Sequence, residues 1–145
     1  MTVGAESFAL GASDLVAAMD RFENFNDGLV TSWRFGTQDA WAYKHGVRQD
    51  KQFVEFEIEV QDAENEKGSL ITLRLADCES IVLHRNNQVS LDVLFYGLHV
   101  LESDGLIGIE FGDLGDEAPA TMEDLRKSRF HVVAKSLVWQ VSPFS

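Results

Sequence analysis

The chain has little cysteine, little proline and few cations, and each shortage narrows what it can be. One cysteine in 145 residues, Cys78, excludes an intramolecular disulfide, so the expected address is a reducing cytoplasm. Its neighbours Asp77 and Glu79 disfavour a thiolate, which makes Cys78 an inert structural thiol in this reading. The two prolines, Pro119 and Pro143, both lie late, and no Gly/Pro-rich linker or repeat divides the sequence, so residues 1–145 read as one domain. Twelve Lys and Arg against 24 Asp and Glu give a net charge of −12, a field that repels phosphate and anionic lipid and argues against general nucleic-acid binding. No apolar run approaches the ~20 residues that cross a bilayer, and the stretch from Met1 to Gly11 has neither the basic nor the apolar part of a secretory leader, so no membrane association is expected. Gly-x-Ser-x-Gly, P-loop and Gly-x-Gly-x-x-Gly patterns are all missing, and the expected cofactor is none.

What is present is mostly β patterning. Near the start, Ser13 can cap a helix over about 14–23 that puts Leu15, Met19 and Phe22 on one face, with Asp14 at the positive end of its dipole. After the turn signal Phe25-Asn26-Asp27-Gly28 the period changes to two. Asp27 is expected to bond local backbone N–H groups with its carboxylate while Gly28 takes a positive φ. Leu29–Phe35 is a first strand. In Phe53–Gln61, Val54, Phe56, Ile58 and Val60 alternate with Glu55, Glu57 and Glu59, which predicts one apolar and one carboxylate face. A polar turn over 63–69 then leads into Leu70–Leu75, the second arm of an antiparallel hairpin. Further strands are read at Ser80–His84, Leu106–Phe111 and Phe130–Val141. Val89–Leu101, apolar on both faces, reads as a central strand, and Thr121-Met122-Glu123-Asp124 starts a short helix. The fold class is therefore mainly β with a minor α part: an antiparallel sheet folded as a sandwich or half barrel, with an N-terminal helix and a short helix in the C-terminal half.

The chemistry-bearing residues are dispersed. His45, His84, His99 and His131 show no paired spacing with each other or with Cys78, so no metal site and no catalytic residue is assigned. His99, within the most apolar stretch and beside Gly97, is the histidine of most interest. Glu55, Glu57 and Glu59 are close enough for paired carboxylate chemistry but read as a solvated ladder. Asp113, Asp116 and Glu117 offer oxygen atoms to calcium without the dense alternation of an EF-hand.

Charge is distributed unevenly. Residues 86–125 hold nine acids (Asp92, Glu102, Asp104, Glu110, Asp113, Asp116, Glu117, Glu123, Asp124) and no lysine or arginine. This is either a solubilising surface or a face that steers and docks a basic protein. Asp113, Asp116 and Glu117 are expected to be exposed and free to reorganise around lysine or arginine. Arg34, Lys44, Arg48 and Lys51 stand among Trp33, Phe35, Trp41 and Tyr43, a pattern of a tryptophan-rich hairpin or of a binding surface.

Phe25-x-Asp27-Gly28-x-Val30-x-x-Trp33, followed by a charge-alternating strand and by Leu94-Phe95-x-Gly97-Leu98, resembles small bacterial all-β proteins of the toxin-immunity and uncharacterised-domain type. The resemblance covers about half of the chain and carries over no catalytic residue. It implies a non-enzymatic cytosolic protein-binding domain. The acidic residues Asp92, Glu102, Asp104, Asp113, Asp116, Glu117, Glu123 and Asp124 would then meet the basic partner, a toxin. The alternative is a small-molecule-binding β domain with a pocket lined by Trp33, Trp41, Tyr43 and His99. An enzyme with an unrecognised site stands third; a histidine and carboxylate converging in a cleft would favour it.

Overall fold

The computed structural model describes residues 11–36, 53–83, 93–94 and 96–143. Among them, seven strands form one antiparallel sheet: β1 Gly28–Gly36, β2 Phe53–Asp62, β3 Asn65–Leu83, β4 Val93–Leu94, β5 His99–Ser103, β6 Leu106–Glu110 and β7 Phe130–Pro143. Their order across the sheet is β4-β1-β2-β3-β7-β6-β5. Two short α-helices, α1 Ala12–Ala18 and α2 Met122–Leu125, and a 3-10 turn at Glu23–Phe25 accompany the sheet.

That order requires a curled sheet. Leu94 lies on one edge and His99 on the other, five residues apart, a reach of at most about 18 Å. Six inter-strand gaps in a flat sheet would separate the two edges by about 29 Å. The sheet therefore bends into a half barrel, and the sandwich alternative falls away. Register shifts bend the strands locally, between Val30 and Ser32 in β1, between Val60 and Asp62 in β2 and between Cys78 and Ser80 in β3.

The inner face is built by the period-two pattern. Val54, Phe56 and Ile58 of β2, Ile71, Leu73 and Leu75 of β3, and Phe130, Val132 and Ala134 of β7 are all buried in one apolar cluster. Phe22, Phe25 and Leu15 enter the same cluster, and Phe22 meets Trp139 edge-on at 6.1 Å. The Trp139 indole N–H also donates to the Gly11 carbonyl at 2.9 Å, which pins the start of α1 to β7.

The outer face of β5, β6 and β7 carries a second, smaller layer. Residues 112–129 fold back over it, and Leu125 and Met122 press so closely on Gly108 that a Cβ there would stand 2.7 Å from Leu125 Cδ1. Glu110, His131, Ser128 and Val133 are buried although they do not belong to the inner apolar cluster.

Several expectations need correction. Helix α1 begins earlier than Ser13 implies: Gly11 precedes it, and Asp14 Oδ2 accepts the Gly11 N–H at 2.9 Å. It ends at Ala18, and single turns carry the chain on to Phe22. The segment read as one central strand over 89–101 supplies instead the two sheet edges, β4 and β5, because Gly97 at φ +76 breaks the extended chain between them. Residues 89–92 and 95 of that segment, and 84–88 before it, lie outside the described residues. At the first turn it is Asp27, not Gly28, that takes a positive φ, of 60°. The turn is held by the Asp27 N–H, which donates to Leu94 O at 2.7 Å. Gly28 answers a close approach: a Cβ there would lie 2.9 Å from the Phe25 carbonyl oxygen.

Candidate functional site

The β5–β6 hairpin brings together two residues eleven positions apart. Asp104 and Gly105 both have positive φ, 52° and 78°, the conformation of a two-residue hairpin turn whose twist matches the strands. That turn pairs Ser103 with Leu106 and, two and four rungs along on the same face, Leu101 with Gly108 and His99 with Glu110. Glu110 in turn faces His131 on β7. A row His99–Glu110–His131 thus crosses three strands.

The Glu110 side chain is fully buried, and its oxygens receive three donors. His99 Nδ1 lies 3.1 Å from Oε1, the Asp113 N–H donates to Oε2 at 2.7 Å, and Ser128 Oγ reaches Oε2 at 2.8 Å. All three can donate to a carboxylate, which satisfies a charge that would be costly to bury alone. His131 Nδ1 bonds the Ser128 carbonyl at 2.7 Å and its Nε2 meets Ser80 Oγ at 3.2 Å. A carbonyl only accepts, so the His131 proton sits on Nδ1; both of its ring nitrogens are occupied within the layer.

His99 differs, because it lines a cleft of about 280 Å³ with Asn24, Asn26, Tyr96, Leu98, Asp116 and Ala118. With the Nδ1 proton directed at Glu110, the ring nitrogen left for a visitor is Nε2, an acceptor in neutral imidazole. The cleft floor is held by unusual backbone. Glu23, Asn24 and Phe25 all have positive φ, at 54°, 56° and 63°, a left-handed turn that costs roughly 1–2 kcal/mol per residue. Leu98 N–H donates to the Asn24 carbonyl at 2.9 Å, and at Gly97 a Cβ would come within 2.2 Å of that same oxygen. The turn divides two concavities. Asn24 and Asn26 face the His99 cleft, whereas Glu23 and Asp27 face an open groove of about 530 Å³ that Glu59, Asp62 and Glu66 also line.

A carboxylate-oriented imidazole in a cleft is the arrangement set out above as favouring an enzyme. Among the described residues lining this cleft there is no serine, threonine or cysteine, and what the imidazole presents to it is a hydrogen-bonding ring nitrogen. Trp33 does not join His99. It packs edge-on against Phe130 at 6.0 Å, beside the Phe56–Phe111–Phe130 cluster. Trp41 and Tyr43, the other members of the aromatic pocket, lie outside the described residues.

The acidic residues are carried by neighbouring pieces of chain. Glu102 is on β5, Asp104 in the β5–β6 turn, and Asp113, Asp116, Glu117, Glu123 and Asp124 on the segment that covers β6. Glu102, Asp104, Asp116, Glu117 and Glu123 are exposed. Asp113 is not free to reorganise as expected: Arg129 clamps it through its backbone N–H at 2.8 Å and its guanidinium at 3.0 Å. Asp124 meets Lys127 at 3.5 Å, and its N–H is capped by Thr121 Oγ1, as the helix signal predicted. Asp92 lies outside the described residues, as do His45 and His84.

The strand ladder also departs from expectation. Glu55 is buried between Arg34 and Arg74, with bonds of 2.8 and 2.7 Å. Burial raises its pKa, but the hydrogen bonds and charges of the two arginines overcome that and hold the carboxyl below its ordinary value. Cys78 matches its inert reading: burial, helped by the charge of Asp77 and opposed by a backbone hydrogen bond at Val54, pushes its thiol up to about 11.

The His99–Glu110 pair was missed in the sequence, yet a signal existed. Reading Asp104-Gly105 as a hairpin turn fixes the register and sets the two residues opposite each other. No family model, no curated protein and no solved structure matches this chain.

Proposed function

We propose that this chain is a protein-binding domain that docks a basic partner through the acidic end of its half barrel, in the manner of an immunity protein neutralising a basic toxin. The observation that carries this reading is the exposure of Glu102, Asp104, Asp116, Glu117 and Glu123 on the β5–β6 hairpin and the segment packed over it. Carboxylates so placed raise the encounter rate with a cationic surface and reject anionic ones. The sequence resemblance to small bacterial immunity-type proteins agrees with it.

Steering has a kinetic signature. Association should exceed the roughly 10⁵ to 10⁶ M⁻¹s⁻¹ of unsteered docking, and it should slow as the Debye length contracts from ~10 Å at 0.1 M salt to ~3 Å at 1 M. The test captures the partner from the native host and measures its kinetics against wild type and the Glu102→Gln/Glu117→Gln/Glu123→Gln variant across a salt series. Asp113 is left intact because its pairing with Arg129 is structural. The variant is expected to associate about tenfold more slowly at low salt, with little change in dissociation. Equal rates and equal salt slopes would reduce the acidic end to a solubilising surface.

A further inference from the structure

We infer that the His99 cleft is a guanidinium pocket, the place where one arginine side chain of the basic partner inserts. This deepens the docking reading and rests on it, but the argument comes from the chemistry of the cleft itself. Its described polar lining is rich in acceptors. Asp116 offers a carboxylate, Asn24 and Asn26 offer amide oxygens beside their N–H donors, and His99 in its neutral form offers Nε2, because Nδ1 is engaged by Glu110 at 3.1 Å. No lysine or arginine is among the described lining residues, so nothing there would hold a carboxylate or phosphate by charge.

Size and shape select further. At about 280 Å³ the cleft falls just below the roughly 300–1,000 Å³ of pockets that enclose whole small molecules. It suits a single side-chain head. Tyr96, 49% exposed, supplies an aromatic ring to the lining that can attract a cation, while Leu98 at 2% exposure gives an apolar contact for the methylene stem. A guanidinium brings five N–H donors in a plane and no acceptor, which complements these separated acceptors; a lysine ammonium is a compact point charge that reaches fewer of them at once. The left-handed turn at Glu23–Phe25 and the Gly97 contact fix the floor before any ligand arrives, so little ordering is required on binding.

The test titrates the full chain with N-acetyl-arginine amide and follows the side-chain NMR signals of His99 and Tyr96. The lysine and citrulline analogues serve as controls. Arginine is expected to shift both signals and to saturate in the millimolar range, lysine to bind several-fold more weakly, and the uncharged citrulline not to bind. Asp116→Asn and Tyr96→Ala should each weaken arginine several-fold, while their unfolding midpoints stay at that of wild type. Arginine that leaves the cleft signals unmoved, or citrulline that binds as well as arginine, would overturn the pocket. The two readings fail separately. Neutralisation of Glu102, Glu117 and Glu123 that slows the partner while arginine does not bind would leave docking standing without the pocket. Arginine binding in a protein whose partner kinetics ignore that neutralisation would do the reverse.

Discussion

Protonating Asp62 should loosen the first hairpin from the N-terminal segment, and the geometry sets the size of the effect. The Asp62 side chain has no exposed surface and accepts four bonds: Arg21 Nε at 2.8 Å, Arg21 Nη2 at 2.9 Å, Ser69 Oγ at 2.6 Å and the Glu64 N–H at 2.9 Å. Alongside them, the Ala63 N–H donates to the Arg21 carbonyl at 2.9 Å. The Arg21 hydrogen bonds, with those of Ser69 and Glu64, outweigh burial and hold the carboxyl at about 2 against an ordinary 3.8. At about 1.4 kcal/mol per pH unit that difference corresponds to roughly 2 kcal/mol of folding stability. Arg21 is a third exposed, and solvent screening at that end reduces the figure to about 1–2 kcal/mol. A depressed folded pKa stabilises above the unfolded value, so the contribution is complete above about pH 5 and is lost as pH falls from 3.8 towards 2. Urea unfolding of wild type and Asp62→Asn from pH 7 to pH 2 measures it. The variant should be less stable by about that amount at neutral pH, where Arg21 keeps its ion pair with Glu64 at 2.7 Å, and the gap should narrow below pH 4. A gap that is constant from pH 5 to pH 2 would refute the assignment of this stability to the Asp62 charge.

Two further outcomes are expected. With its thiol held at about 11 rather than 9.0, Cys78 should react with iodoacetamide about a hundredfold more slowly than a model thiol at pH 8; a model-like rate would show the site to be open to solvent. Gly97→Ala places a Cβ at positive φ against the Asn24 carbonyl oxygen and should lower stability by at least about 2 kcal/mol in urea, an expectation an unchanged unfolding midpoint would defeat.

What was legible in the sequence follows from which signals are local. β2 was readable because a half-exposed strand writes its burial as a two-residue alternation. The same alternation misled at Glu55, since a carboxylate on the outer face is solvated only if its neighbours leave it so. Here Arg34 and Arg74 stand directly opposite in the two adjacent strands, and that register is a property of three segments together. In the stretch over 89–101 both faces are apolar, so no period separates strand from crossing. Gly97 was the signal, since a glycine inside an apolar run marks a break or a close approach. His99 and Glu110 show no telling spacing along any single element, because the pair is defined across a hairpin.

The segment over 112–129 joins stability to the proposed site. Its apolar contacts, Leu125 and Met122 against Gly108, favour burial but fix no register, since an apolar contact tolerates sliding by a fraction of a residue. The Glu110 carboxylate supplies what they lack. Its three donors come from β5, from the loop after β6 and from the residue shortly after α2, so a shift of any one piece leaves a buried charge short of a partner. That penalty exceeds the net worth of the bond lost. The anchored loop is also the one that brings Asp116 to the cleft and exposes Glu117. The carboxylate that orients His99 therefore also sets where Asp116 stands beside it, and a cleft whose described lining comes from three separate pieces of chain can present one geometry to a partner.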